Sequence, residues 1–403
     1  MELNEGYKQT EVGVIPIDWD ERRLDQICFM KSGITITSES IYDGGKYPCY
    51  GGNGLRGYTG QYTHNGEYAL IGRQGALCGN VLGVRGKFFA SEHAIVVTSF
   101  IDTSIEWLTY QLIKLNLNRL SESSAQPGLS VNKILSLKVP LPPTKTEQIA
   151  IAQALTDFDV LIARLEKLII KKRLIKQGAM QKLLDPFDEN RKLKSGWVEK
   201  RLGDTAVLKA RIGWQGLTTA EYKTSGDYCL ITGTEFKDGF IDWDKCFFVE
   251  YERYKQDRNI QVKQFDVLVT KDGTIGKVAF IRDVPKPATL NSGVFVIRPI
   301  DDAFDPEFFF YVLKSNIFSE FLAQLSAGST INHLYQKDFV HFKYYVPSDN
   351  QVQKELAKIF SDMDKDIDHL TIKLSKIKQL KQGMMQSLLT GKIRLVEKQR
   401  SKP

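Results

Sequence analysis

The residues that could do bond-breaking chemistry are scattered along this 403-residue chain. Five cysteines (Cys28, Cys49, Cys78, Cys229 and Cys246) form no CxxC pair, and the five histidines show no ligand spacing. Neither a zinc site nor a disulfide framework is expected from that pattern. Gly273-Thr-Ile-Gly276-Lys277 has the wrong spacing for a phosphate loop and runs on into Val278. No GxSxG elbow and no HExxH pair occurs. Pro142-Pro143 invites comparison with the Asn-Pro-Pro-Tyr motif of amino-methyltransferases. Its flanks, Leu141 and Thr144, lack the amide and the aromatic ring that would hold a flipped base. Pro48-Cys49-Tyr50 only loosely matches a cytosine-methylase nucleophile, and Glu221-Tyr-Lys223 has no paired acidic site upstream. No catalytic residue and no metal ligand is therefore expected.

Residues suited to recognition are better placed. Gly72-Arg73-Gln74-Gly75 and Thr270-Lys271-Asp272-Gly273 each set a basic residue and an amide or acid beside glycine at a strand end. Arginine on guanine and glutamine on adenine are the common bidentate contacts to base edges in duplex DNA. The loop Gly51-Gly-Asn-Gly-Leu-Arg-Gly57 adds Asn53, Arg56 and the following Tyr58 on a backbone that can approach closely. The candidate DNA-contacting set is Asn53, Arg56, Tyr58, Arg73, Gln74, Arg211, Lys271, Asp272, Thr274 and Asn291. Plainer readings compete: Arg73 and Lys271 as surface ion-pair partners, the glycine loop as a hairpin connection, Asn132 and Asn332 as turn or cap residues.

The elements that would carry these residues repeat. Lys176-Gln-Gly-Ala-Met-Gln-Lys-Leu-Leu184 returns 205 residues later as Lys381-Gln-Gly-Met-Met-Gln-Ser-Leu-Leu389, and Asp157-Phe-Asp159 returns as Asp362-Met-Asp364. Both stretches read as long helices. Leu155, Phe158, Ile162, Leu165 and Ile169 in the first, and Phe360, Met363, Ile367, Leu370 and Leu374 in the second, follow alternating steps of three and four. A seam held over four to five heptads calls for a helical partner, and an intramolecular, antiparallel pairing of the two copies is favoured over a homodimer coil. Upstream, Leu70–Gly75 lines up with Leu268–Gly273, Gly128–Asn132 with Gly328–Asn332, Pro142 with Pro347 and Trp19 with Trp197. The offset grows from 178 to 205, so the second copy holds insertions. Runs such as Glu67–Ile71, Ala94–Thr98, Asp266–Thr270 and Gly293–Arg298 read as strands, and Ile105–Asn116 and Pro306–Leu325 as helices.

The expected fold is α/β (α+β): two mixed domains, 1–145 and 185–350, alternating with helical spacers, 146–184 and 351–403, as a pseudo-twofold internal repeat. The formal charge of +7 sits in the spacers, with 7 basic against 4 acidic residues in the first and 12 against 6 in the second. The long domains are balanced, so any DNA contact there depends on locally placed Arg and Lys. Hydrophobic residues, at 42%, suffice for a globular core. No run approaches the ~18 apolar residues of a membrane span, and Met1–Thr10 is too polar for a signal peptide, so a cytoplasmic protein is expected.

With the ordered double set in hand, the chain resembles the specificity subunit of type I restriction-modification systems. The carrying residues are Pro140-Leu-Pro-Pro143, Glu147-Gln148, Asp157-Phe-Asp159, Lys176–Leu184, their second-half counterparts, and Gly203-Asp204 after Trp197 and Arg201-Leu202. The second half departs where Val352-Gln353 stands for Glu147-Gln148. The resemblance implies two target-recognition domains reading a split double-stranded DNA site, two docked methyltransferase subunits, and restriction subunits that join them. It implies no cofactor on this chain, with S-adenosylmethionine, ATP and Mg on the partners. A scaffold that binds only proteins is the competing expectation.

Overall fold

The computed structural model describes residues 5–121, 127–213, 216–325 and 333–395. The expected equivalence of Gly328–Asn332 to Gly128–Asn132 lies outside them. The chain forms two compact units, Met1–Lys167 with Thr371–Pro403, and Leu168–Leu370. These do not coincide with the four expected segments, because each long helix contributes one half to each unit.

Unit one is built on a six-stranded sheet. Its order is Cys28–Ser32, Ala94–Ser99, His64–Gly72, Val81–Ala90, Tyr47–Gly51, Gly54–Thr59. All pairings are antiparallel except Tyr47–Gly51 against Val81–Ala90, where Cys49 faces Phe89. Ala94–Val97 is buried without alternation because this inner strand is covered on both faces. The helix Ile105–Lys114 packs there through Ile105, Trp107, Leu108 and Leu112, and Ser104 caps it by accepting from the Trp107 N–H at 3.3 Å. It ends two residues short of the expected Asn116, which takes a left-handed φ of 49°.

Unit two repeats this plan with its sheet divided. Four strands run in the order Ala206–Ala210, Val294–Pro299, Val267–Thr270, Val278–Phe280. Three more run in the order Phe247–Val249, Tyr228–Ile231, Ala288–Leu290. The single expected helix over Pro306–Leu325 is two helices, Pro306–Leu313 and Asn316–Leu325, because Ser315 Oγ accepts from the Ile317 N–H and starts a new one. Phe308, Phe309, Phe310 and Tyr311 are all buried in the first, which explains why no amphipathic pattern marked its break. The growing offset has one main source. Gly51 and Gly54 close a tight hairpin in unit one, whereas residues 232–246 join the corresponding strands in unit two and carry a hairpin of their own, Phe236–Lys237 with Phe240–Ile241.

In each unit the domain is closed just before its long helix. Asp20–Arg23 pairs with Lys138–Leu141 in unit one, and Trp197–Arg201 pairs with Lys343–Pro347 in unit two. The long helices, Lys145–Leu183 and Asn350–Leu388, are each 39 residues and stand 205 residues apart at both ends. Thirty-nine residues make roughly 58 Å of helix. Of the seam residues, Leu155, Leu165, Ile169, Phe360 and Ile367 are buried, and Phe158, Ile162, Met363, Leu370 and Leu374 are half-buried. Ion pairs fix the direction within each unit: Asp159 with Lys381 and Glu166 with Lys378 in unit one, Lys172 with Asp366 and Lys176 with Asp364 in unit two. Partner numbers rise on one helix as they fall on the other, so the helices are antiparallel.

Candidate nucleic-acid interface

In unit one the strand His64–Gly72 ends beside the hairpin Gly51–Gly54. A Cβ on Gly72 would lie 1.9 Å from the Gly52 carbonyl oxygen, so only glycine permits this approach. The approach brings Arg73 and Gln74 to the same edge as Asn53 and Arg56. The Arg73 N–H donates to the His93 carbonyl at 2.8 Å, and its own carbonyl accepts from Leu129 at 2.9 Å. Its guanidinium reaches Ser32 Oγ at 3.1 Å. Arg73 has no carboxylate partner within ion-pair distance among the described residues, contrary to its plainer reading. Gln74 Oε1 meets His93 Nδ1 at 2.8 Å, and Asn53 Oδ1 accepts from Asn80 Nδ2 at 2.9 Å. Arg56 and Tyr58 are both exposed on the strand Gly54–Thr59, with Arg56 at a bulge where Cys49 pairs with Gly57 and Tyr50 with Leu55.

Unit two repeats the backbone frame and changes the side chains. The Lys271 N–H donates to the Gly293 carbonyl at 2.8 Å, and its carbonyl accepts from Leu334 at 2.9 Å. Lys271 is therefore the counterpart of Arg73, and Leu334 of Leu129. That pairing makes the helix Gln336–Phe339 the counterpart of Val131–Leu135. The Lys271 ammonium lies 5.3 Å from the Phe295 ring centroid, a cation–π contact that holds it at the strand end. Asp272 pairs closely with His333 Nδ1. The histidine meeting the residue after the basic one thus comes from a different loop in each unit. Neither His93 nor His333 was singled out from the sequence; only the return of distant loops to the strand end identifies them.

The remaining candidates divide. Thr274 is exposed, and its carbonyl accepts from Thr270 Oγ1 at 2.6 Å, closing the loop beside Lys271. Asn291 adjoins Gly293; its Nδ2 donates to Tyr222 Oη at 2.8 Å, while its Oδ1 is buried without a partner among the described atoms. Arg211 does not reach a surface. It is 1% exposed, and donates to the Leu290 carbonyl at 2.9 Å, Thr289 Oγ1 at 3.1 Å and Gln256 Oε1 at 3.1 Å. Burial lowers its pKa, and the donors of its planar fork are used to tie three segments together. It belongs to the interior and not to the interface.

Other motifs have structural explanations. Glu221 accepts from Thr218 in a capping box and pairs with Arg253, and Lys223 pairs with Glu250, which accounts for the Glu-Tyr-Lys triplet. All five cysteines are buried and unpaired; desolvation pushes the Cys28 thiol up to about 12. Gln148 Oε1 accepts from the Ser104 N–H at 2.8 Å, and its counterpart Gln353 accepts from Asp305 at 2.9 Å. Glu147, which has no acidic counterpart at Val352, is a partner of Arg394, whose Nη2 reaches its Oε2 at 2.9 Å. Arg394 also binds Asp18 at 2.9 Å and 3.0 Å, fastening the segment after the second helix onto unit one.

A family model described as the type I restriction modification DNA specificity domain matches residues 16–174 and again residues 194–379. The chain is 43% identical over 159 residues to the type I restriction enzyme EcoprrI specificity subunit of Escherichia coli, covering 38% of each chain. It is 29% identical over 273 residues to the MjaVIII specificity subunit of Methanocaldococcus jannaschii, covering 64% of this chain and 63% of that one. The chain thus spans less than two thirds of either relative's length in the matched regions. The putative MjaX specificity subunit of the same organism matches over 97% of both chains at 24% identity. Among solved structures, a type I restriction-modification S subunit from M. genitalium superposes with a TM-score of 0.68 at 19% identity, over 96% of this chain and 98% of that one. That likeness speaks for the fold.

Proposed function

Because the chain belongs to the type I restriction-modification DNA specificity family, we propose that its two units each read one half of an asymmetric, bipartite site in double-stranded DNA. The chain is a specificity subunit and not itself an enzyme. The observation that carries the reading is the shared strand-end frame with unlike side chains: Arg73, Gln74 and His93 in unit one, Lys271, Asp272 and His333 in unit two. One frame presenting different hydrogen-bonding groups is what two unlike half-sites require, since base edges differ in their donor and acceptor patterns.

Two methyltransferase subunits would dock on the exposed faces of the long helices, and restriction subunits would join that core. Leu161, Leu168 and Ile175 recur every seven residues on the first helix and are exposed, as are Val352, Ile359, Ile372 and Leu380 on the second. Arg164, Lys167 and Lys171 lie beside the first set. Exposed apolar side chains at heptad spacing favour helical partners. S-adenosylmethionine, ATP and Mg would bind those partners, and the complex would work in the cytoplasm, where its DNA is. No described helix is long and apolar enough to cross a membrane.

The test is a genome-wide map of methylated bases with and without this gene, then with Arg73→Ala. Loss of one two-part motif on deletion, and relaxation of one half only in the variant, are the expected results. An unchanged map in a strain whose methyltransferase is active would refute the reading, and unaltered bases in both halves would remove Arg73 from it.

A further inference from the structure

The two repeated motifs meet in one three-residue arrangement, present once in each unit. In unit one Lys381 donates to Asp159 Oδ1 at 2.5 Å, and the Tyr110 hydroxyl donates to Asp159 Oδ2 at 2.8 Å. The Lys381 ammonium also lies 5.3 Å from the Tyr110 ring centroid. In unit two Lys176 pairs with Asp364, Tyr311 donates to Asp364 Oδ2 at 2.8 Å, and Lys176 lies 5.1 Å from the Tyr311 centroid. Each time the aspartate comes from one long helix, the lysine from the other, and the tyrosine from the domain helix, Ile105–Lys114 or Pro306–Leu313. Three elements converge on one carboxylate.

Adhesion alone does not require this chemistry. A buried ion pair, as Lys176–Asp364 is, is often no more stabilising than well-packed apolar residues, and its best-attested use is to fix register; the half-exposed Asp159 of unit one adds little adhesion through its charge. The tyrosines are almost fully buried, and burial together with the adjacent aspartate raises their hydroxyl pKa, so they remain donors. An apolar helix seam can slip by a turn of about 5.4 Å or rock within its grooves. A reading head that senses a one-base-pair error must be held to within about 3.4 Å and a tenth of a helical turn.

We propose that Tyr110–Asp159–Lys381 and Tyr311–Asp364–Lys176 are register pins, each holding one recognition domain at a single height and angle on its helix pair. They are positioning residues for discriminating the gap between half-sites. The inference rests on the bipartite-site reading above. It predicts that loosening a pin relaxes the permitted gap while leaving the bases read in each half unchanged.

The experiment is a methylated-base map in cells expressing the chain with its methyltransferase subunits, as parent, Tyr110→Phe, Tyr311→Phe, the double variant and Asp159→Asn. Tyr→Phe keeps the ring packing and removes only the hydroxyl. Val262→Ala, a cavity variant in the separate core cluster of unit two that holds Ile260, Leu268 and Leu290 and neither pin tyrosine, is the control. The expected result is a rise of about tenfold in methylation at sites one base pair shorter or longer in the gap, on the scale of a ~1.4 kcal/mol loss of discrimination, with parental half-site bases. The control should keep parental gap stringency. Parental stringency in the double variant, equal relaxation in the control, or loss of methylation at every gap in the Tyr→Phe variants would each overturn the proposal. A parent that yields no two-part motif would overturn the bipartite reading itself, and the pins with it.

Discussion

Gln353 offers the sharpest test of how each domain is fastened to its long helix. It is fully buried, and it uses both ends of its amide. Oε1 accepts from the Asp305 N–H at 2.9 Å; Nε2 donates to the Pro347 carbonyl at 2.7 Å and to Asn350 Oδ1 at 3.0 Å. Glutamine alone among residues of this length offers a donor and an acceptor without charge. Gln353→Met keeps the volume but leaves a buried N–H and a buried carbonyl unpaired, at about 1–2 kcal/mol each, so a loss of roughly 2–4 kcal/mol is expected. For a cooperative unit of about 200 residues that lowers the melting temperature by roughly 5–15 °C. Gln353→Glu should be worse at neutral pH, because a carboxylate would then face the Pro347 carbonyl. Calorimetry together with amide exchange resolved by segment is the assay, with loss of protection expected across 168–370 before the rest. A shift under about 1 °C for Gln353→Met, or a Glu variant as stable as the parent, would refute the reasoning. Gln148→Met should do the same to unit one, where Ser104 and Pro142 are the partners.

Gly72→Ala should disrupt the strand-end frame of unit one by driving a Cβ into the Gly52 carbonyl, whereas Gly75→Ala, in open space at a φ of +94°, should cost only ~1 kcal/mol of backbone strain. Chemical denaturation ranks the two, and equal effects would contradict the close approach. Arg211→Met should destabilise unit two by roughly 2–4 kcal/mol through the Leu290 carbonyl and Thr289 it leaves unpaired. It should leave the half-site bases unchanged on a methylated-base map; altered bases would return Arg211 to the interface. The native chain should resist thiol labelling at pH 8, because all five thiols are buried and Cys28 is pushed up to about 12, and should release five thiols in denaturant. Rapid labelling of any thiol in the native state would show that burial incomplete.

Much of this architecture was legible because repetition isolates what contacts the frame. Asp159 and Asp364, Lys176 and Lys381, and Gln148 and Gln353 recur at one offset of 205, and each pair makes equivalent contacts in its own unit. The heptad seam was readable for the same reason, since a 3.5-residue stripe reports a helical neighbour whatever the rest of the fold does. Tyr110 and Tyr311 were not readable. They stand 201 residues apart, out of phase with the motifs they serve, inside helices whose patterns report only core packing. The histidines at the strand ends were hidden more deeply, because His93 and His333 reach corresponding places from different loops, and no sequence offset relates them.

Arg211 failed as a candidate for an instructive reason. It stands in the strand-end region where unit one has Gly33, whose Cβ would meet the Ala90 carbonyl at 2.2 Å. Unit two opens that space and fills it with a guanidinium bound to the Leu290 carbonyl, at the end of the strand Ala288–Leu290. An arginine just past a strand end reads as a surface cation only until the depth of the neighbouring strand is known. The residues that repeat therefore fasten each domain to its helices, and the residues that differ either refill an interior or face outward. Burial separates those last two classes: Arg211 is interior, whereas Arg73 and Lys271 stand half-buried at their strand ends, where the proposed half-site reading would fall.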